Sequence, residues 1–193
     1  MDILKLIKNR RTIRRYKNKP ISKRIINRII EAGRWGPSPH NSQPWEFVIL
    51  EKQSKEKLVR ELFAFSPNIY TSFKILLKST LKIIESAPTI ILVYNNCSLS
   101  KKVKKFKEPY YGITYLSEIE GISAAIQNMH LVASYLGLGM AWLTMPLFIK
   151  KRIDRIISKK GDLIAILAIG FPAGKTGIIS RKKSSEVFNY ITL

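Results

Sequence analysis

Residues 36–45 read Gly36-Pro37-Ser38-Pro39-His40-Asn41-Ser42-Gln43-Pro44-Trp45. They form a polar, turn-rich stretch between an amphipathic segment and an apolar one. The three prolines fix φ and remove backbone donors, so the loop is stiff. Ser38, His40, Asn41, Ser42 and Gln43 hang hydrogen-bonding side chains on that frame. A plain helix-to-strand connector runs to about two to six residues. A longer, rigid, polar loop is expected to shape a site.

Upstream of the loop, Ser22 is placed to cap a helix over 23–34 that buries Ile25, Ile26, Ile29 and Ile30 and ends at Gly33, Gly36 and Pro37. A short helix over 2–8 carries Ile3, Leu4 and Ile7 on one face. Downstream, 46–51 reads as a strand and 54–64 as a helix, with a further helix possible over 71–85. Residues 89–94, Thr-Ile-Ile-Leu-Val-Tyr, predict a buried strand. Residues 95–117 are basic and aromatic without a clean period and suggest an excursion or lid. The segment 118–136 is apolar nearly all round, which predicts a central helix ended by Gly137 and Gly139. Strands over 140–144 and 163–170, a helix over 148–158, a Gly- and Lys-rich loop over 172–185 and a terminal strand or arm over 187–191 complete the chain. Strands alternating with helices predict a sheet covered on both faces.

The second informative stretch is Arg10-Arg11-Thr12-Ile13-Arg14-Arg15-Tyr16. In an extended segment Arg10, Thr12 and Arg14 share one face. Two guanidinium forks and a hydroxyl on one face suit the oxygens of a phosphate. A solvated basic turn is the plainer alternative.

Composition narrows the classes. The chain has 193 residues, 46% hydrophobic, which suits one folded domain with a core. It has one cysteine, Cys97, so no disulfide can form within it, and a reducing cytoplasmic setting is expected. No secretory h-region and no apolar run long enough to span a membrane are seen. With one cysteine and two histidines (His40, His130), no zinc site can be built from these residue types. No nucleophile elbow or Walker loop occurs, and Gly137-Leu138-Gly139 lacks the third glycine of a dinucleotide fingerprint. An anion cradle and a shaped polar loop without a nucleophile or base suit chemistry borrowed from a cofactor. The net charge is +21, with its densest run at Lys101, Lys102, Lys104, Lys105 and Lys107, read first as a solvated loop and second as an anion-capture surface.

Taken together, the basic stretch, the helix and the Pro-Ser-x-x-Asn-x-Gln-Pro-Trp stretch resemble the flavin-dependent nitroreductase family. The resemblance reaches the C-terminus through Gly137-Leu138-Gly139, the apolar run 163–170 and the basic cluster near 181, and is weakest at about 52–115. It implies an α+β fold, a mixed sheet flanked by helices around a long central helix, in an intertwined homodimer. One FMN-binding domain over 1–193 with a lid at about 65–117 is expected, with FMN at the subunit interface. By the same resemblance, Arg10, Arg11, Thr12, Arg14, Arg181 and Lys182 hold the phosphate and ribityl chain. Pro37, Ser38 and Asn41 reach the flavin from the partner subunit, and Leu143, Thr144 and Met145 face the flavin ring with backbone groups. His40 lies on the substrate side of the loop, a surface histidine being the alternative. His130 is read as a satisfied core or interface residue. Trp142, Phe106, Tyr110, Tyr111 and Tyr115 line the pocket or pack as ordinary core and lid.

The activity so implied is an NAD(P)H oxidoreductase. Electrons would pass from NADH or NADPH through flavin N5 to a small nitroaromatic, quinone or similar acceptor by ping-pong kinetics. Relatives on the same fold include a flavin destructase and a dehalogenase of iodinated tyrosine, which form a second reading. A basic nucleic-acid-binding module is the third; it has only 101–111 in its favour, so nucleic acid and membrane are not expected partners.

Overall fold

The computed structural model describes residues 2–64, 71–106, 109–159, 161–174, 177 and 179–191. Along it run α1 (Ile3–Asn9), α2 (Lys23–Arg34), β1 (Trp45–Glu51), α3 (Lys52–Phe63), α4 (Thr71–Ser86), β2 (Thr89–Asn95), α5 (Ser100–Val103), α6 (Tyr110–Tyr135), β3 (Gly139–Leu143), α7 (Lys150–Ile157) and β4 (Asp162–Gly170).

The four strands form one sheet in the order β1-β2-β4-β3, and each neighbouring pair is antiparallel. The parallel component expected of a mixed sheet is a bridge from Thr12 to Met140 at the β3 edge. The sheet is apolar on both faces because helices cover both. Ile90, Leu92 and Tyr94 of β2 pack with Leu58 and Leu62 of α3, Leu77, Leu81 and Ile84 of α4, and Ile153 of α7. The alternate residues Ile91 and Val93 face Ile26 and Ile29 of α2 and Ile122, Ile126 and Met129 of α6. This period of two, repeated in β4, separates two cores. Ile29 is fully buried, and such a side chain contributes about 1.5–3 kcal/mol.

Several boundaries differ from those expected, for physical reasons. α2 keeps its expected bounds, Lys23–Arg34, but Gly33 lies inside it and does not end it; Trp35 is the C-cap. Ser22 holds the N-cap position, but its side chain makes no capping bond. The long helix begins at Tyr110, not 118. Its first turns show no amphipathic period because Tyr110, Ile113 and Leu116 are exposed, while Tyr111 and Tyr115 stack with centroids 6.3 Å apart. The lid expected at 65–117 is therefore partly this helix, and residues 65–70 and 107–108, Lys107 among them, lie outside the described residues. Gly137, at φ +74°, ends α6, but Gly139 opens β3 and is no helix stop. The helix expected at 148 is preceded by a 3-10 turn, Met145–Ile149. The C-terminal stretch forms no strand among the described residues. A 3-10 turn at Ser184–Glu186 leads into Phe188, Tyr190 and Ile191, all exposed.

Candidate functional site

The basic segment 10–16 is extended and lies along β3. Ile13 N–H donates to Met140 O at 3.1 Å, and Lys17 N–H donates to Phe171 O at 2.8 Å. Ile13 and Tyr16 turn inward and are buried. The Tyr16 hydroxyl lies within bonding distance of Ile13 O and, at 2.8 Å, of Ala168 O. Burial holds its pKa above the usual tyrosine range, against opposing pulls from the Ala141 backbone and the Arg14 charge. The hydroxyl therefore stays a donor and ties the segment to β4. Tyr16→Phe is expected to cost about 1–2 kcal/mol in a urea melt, since two buried carbonyls lose that partner.

With Ile13 and Tyr16 inward, the arginines face outward. A recess of about 300 Å³ is lined by Arg11, Thr12, Arg14 and Arg15 and, facing them, Pro172, Ala173, Gly174, Gly177 and Ile179. Ala173 N–H closes that loop onto Arg15 O at 3.0 Å. Burial, then the charges of Arg181 and Arg11, lower the pKa of Arg10. The Arg181 charge is thus felt at Arg10. Lys182 is exposed, and no described contact brings it in. Arg11 folds back at the end of α1, with Nη1 donating to Lys8 O and, at 2.9 Å, to Arg10 O. Among the described residues no carboxylate lines the recess. Like charges crowded without a counter-ion suit a phosphate dianion, so these residues fit the phosphate of FMN.

The loop 36–45 is more strained than its prolines alone require. His40, Asn41 and Gln43 have φ of 49°, 51° and 45°, a left-handed conformation that costs a non-glycine residue roughly 1–3 kcal/mol. The surroundings hold it there. Ser38 Oγ accepts from Gln43 N at 3.0 Å, and Asn96 N–H donates to Pro44 O at 2.8 Å. Asn96 Nδ2 reaches Gln43 O at 3.3 Å, and Ser98 Oγ donates to Ser42 O at 3.0 Å. Gln43 and Pro44 thus brace the loop through their backbone carbonyls, while His40 and Asn41 are left exposed. Pro37 and Ser38 line a recess with Ser117, Glu120 and Gly121.

Thr144 and Met145, just past β3, line a third recess, about 490 Å³, with Leu147 and Phe148. Phe73 packs edge-on against Phe148 with centroids 4.7 Å apart. Leu143 is buried beside them. These three recesses share no lining residue, so the single chain brings Arg11, Thr12 and Arg14 to one recess, apart from the loop and from Thr144 and Met145.

Two polar residues in α6 bear on these segments. His130, expected to be a satisfied core residue, is buried, with Nε2 3.2 Å from Arg11 O. Glu118 was not anticipated. It lies on the apolar stripe with Ile122, Ala125, Met129 and Ala133, and an acid at that helical spacing was the available signal. Trp142 is half-buried in the second core, and Tyr115 donates to Asp162 Oδ2 at 2.6 Å. Lys101 Nζ donates to Asn96 O at 2.8 Å, and Lys102, Lys104 and Lys105 are exposed. Among the described residues no cluster of His, Cys, Asp and Glu suits a metal, and no helix is long and apolar enough to cross a membrane.

An α+β chain with an outward arginine cradle at a sheet edge and a rigid polar loop is of the kind that holds a phosphorylated redox cofactor. The sequence model described as "Nitroreductase family" matches residues 7–171, and the chain belongs to that family of oxidoreductases. A Methanothermobacter thermautotrophicus protein, provisionally named NADH dehydrogenase/NAD(P)H nitroreductase, is 27% identical over 92% of this chain and 81% of its own length. Iodotyrosine deiodinase 1 of Rattus norvegicus is 25% identical over 89% of this chain and 62% of its own length. The crystal structure of a provisionally named nitroreductase in complex with FMN, from Desulfovibrio desulfuricans, superposes with a TM-score of 0.76. It is 25% identical and covers 100% of this chain and 98% of that one.

Proposed function

We propose that this chain is an FMN-dependent NAD(P)H oxidoreductase acting as a homodimer on a small nitroaromatic, quinone or similar acceptor. The observation that carries this is the cradle: Arg11, Thr12, Arg14 and Arg15 line one recess with no carboxylate among its described lining residues, and the Arg10 guanidinium feels the charges of Arg11 and Arg181. When bound, FMN supplies the redox chemistry, taking reducing equivalents from the nicotinamide and yielding them to the acceptor in alternate half-reactions.

The residues of the chain bind, orient and exclude. Arg10, Arg14 and Arg181 pair with the phosphate, the Thr12 hydroxyl adds a hydrogen bond, and Arg11 contributes charge. Lys182, exposed one residue beyond, adds a further cation. The strained loop offers Pro37, Ser38 and Asn41 to the flavin of a partner subunit. A rigid loop loses little entropy on making that contact. Leu143, Thr144 and Met145 present backbone groups at the end of β3. The apolar recess that follows excludes water and takes a flat acceptor, and His40, on the loop offered by the partner subunit, is a hydrogen-bonding group for it.

Three separate recesses call for a second copy to complete one site. Apolar surface is available for it: Ile3, Leu4 and Ile7 of α1 are 71%, 55% and 43% exposed, although that helix forms where the sequence predicts. Phe188, Tyr190 and Ile191 offer more. The whole chain then works as one FMN-binding domain with a lid formed within 65–117, in a cytoplasmic setting that suits its free thiol.

The pure protein is expected to be yellow, to bleach anaerobically with NADH or NADPH, and to elute as a dimer. A colourless monomer that takes up no FMN would end the proposal. Arg14→Ala is expected to weaken FMN binding by about 1.5–3 kcal/mol, the worth of a charged hydrogen bond; unchanged affinity would displace the phosphate from this face. The likeness to iodotyrosine deiodinase supports dehalogenation as a second reading, tested by iodide release from iodotyrosine under the same reductant.

A further inference from the structure

His130 is 4% exposed, lies in the last two turns of α6 against the basic segment, and has no part in the function proposed above. Its Nε2 lies 3.2 Å from Arg11 O. A carbonyl only accepts, so Nε2 carries the proton of the neutral ring. Burial, and then the Arg10 charge, push its pKa down to about 4 against hydrogen bonds to the Arg11 and Met140 backbone. A neutral donor is what the place requires, because a cation there would add to the repulsion among Arg10, Arg11 and Arg181.

We propose that His130 is a positioning residue for the phosphate cradle: its Nε2–H grips the Arg11 carbonyl and pins the backbone carrying Arg10, Arg11 and Thr12. The inference rests on the FMN-binding role proposed above. The crowded guanidinium groups repel one another and would push that backbone away from the protein. Two anchors oppose this near its start, Ile13 N–H on Met140 O at 3.1 Å and Arg11 O on His130. The first also bridges Thr12 to Met140. The second comes from a different element, α6, and fixes the peptide that joins Arg11 to Thr12. Losing it leaves the charges in place but lets their geometry spread, which costs paired bonds to phosphate oxygens while the ring-binding surfaces are untouched.

The test compares FMN with riboflavin, the same ring system without the phosphate, by fluorescence quenching on protein freed of flavin. His130→Leu is expected to raise the Kd for FMN about tenfold, the weight of one lost hydrogen bond, and to leave that for riboflavin within about twofold. His130→Gln, whose amide N–H reaches the Nε2 position, should restore FMN affinity. His130→Asn, too short to reach it, should behave like leucine, which keeps the comparison decisive if the leucine protein does not fold. Equal losses for both flavins would reveal a general packing role and overturn the proposal. So would wild-type FMN affinity in the leucine or asparagine protein, or a folded glutamine protein that restores nothing. Wild-type protein binding neither flavin would overturn the FMN assignment itself, an outcome separate from these.

Discussion

Gly139→Ala is expected to abolish FMN retention, with purified protein emerging colourless, and to destabilise the chain by about 1–3 kcal/mol through overpacking. A Cβ at Gly139 would fall within the Ile13 side chain, against Cγ1, Cβ and Cγ2. Because Ile13 Cβ is among the atoms struck, no rotamer of Ile13 clears the clash. The backbone of the basic segment must lift from β3, breaking the 3.1 Å bond from Ile13 N–H to Met140 O and the bridge from Thr12. The His130 bond to Arg11 O is one residue further along the same path. Losing two charged pairings to the phosphate costs about 3 kcal/mol or more, roughly a hundredfold in Kd. Calorimetry of the flavin-free protein and an FMN titration separate the two effects. A yellow Gly139→Ala protein with wild-type stoichiometry would show that β3 does not set the position of the cradle.

Gly139 also marks where sequence reasoning stops. A glycine following Gly137-Leu138 reads as punctuation, because a helix stop is a local property. Its actual role is contact with a segment more than a hundred residues away, and no local pattern reports that. The elements themselves were legible wherever the solvent boundary imposed a period. α2 shows its isoleucines at helical spacing, and β2 and β4 are continuous apolar runs because both faces are covered. The arginine segment and the proline loop were legible as chemistry because each concentrates unusual residue types. The left-handed backbone at His40, Asn41 and Gln43 was not: His and Asn only tolerate that conformation more readily than most residues, and Gln43 is of a type seldom found there. The start of α6 was hidden because its first turns lack an apolar face against the core. Exposed Ile3, Leu4 and Ile7 look like core positions in the sequence, and sequence alone does not say whether the covering surface belongs to the same chain.

Glu118→Ala is expected to cost about 3 kcal/mol, since several neutral donors lose an ionised acceptor and bonds to charged groups are worth roughly 1.5–3 kcal/mol. In a chain of this size that lowers Tm by roughly 10 °C. Glu118 is fully buried. Its Oε1 accepts from Leu99 N–H at 2.7 Å and Ser100 N–H at 3.1 Å, and its Oε2 accepts from Asn95 Nδ2 at 3.2 Å. These bonds tie α6 to the turn after β2, and the same turn holds the proline loop through Asn96 and Ser98. Glu118→Gln should not rescue the loss. Asn95 Oδ1 already accepts from Cys97 N–H at 2.7 Å, so Asn95 cannot flip, and a glutamine amide would meet its Nδ2 donor to donor. Burial alone would raise the pKa of Glu118, but bonds from Ser100, the Leu99 and Ser100 backbone and Asn95 outweigh it and hold the group below the usual carboxylate value. The unfolded chain therefore binds the proton first as pH falls. The carboxylate's contribution is complete above the unfolded value of about 4.5 and disappears as pH drops through the lower folded value. Urea melts across that acid range should show the Glu118-dependent part of the stability shrinking, so that wild type and Glu118→Ala converge. A gap between them that stays constant below that pH would mean that the cluster is held by packing and not by the charge.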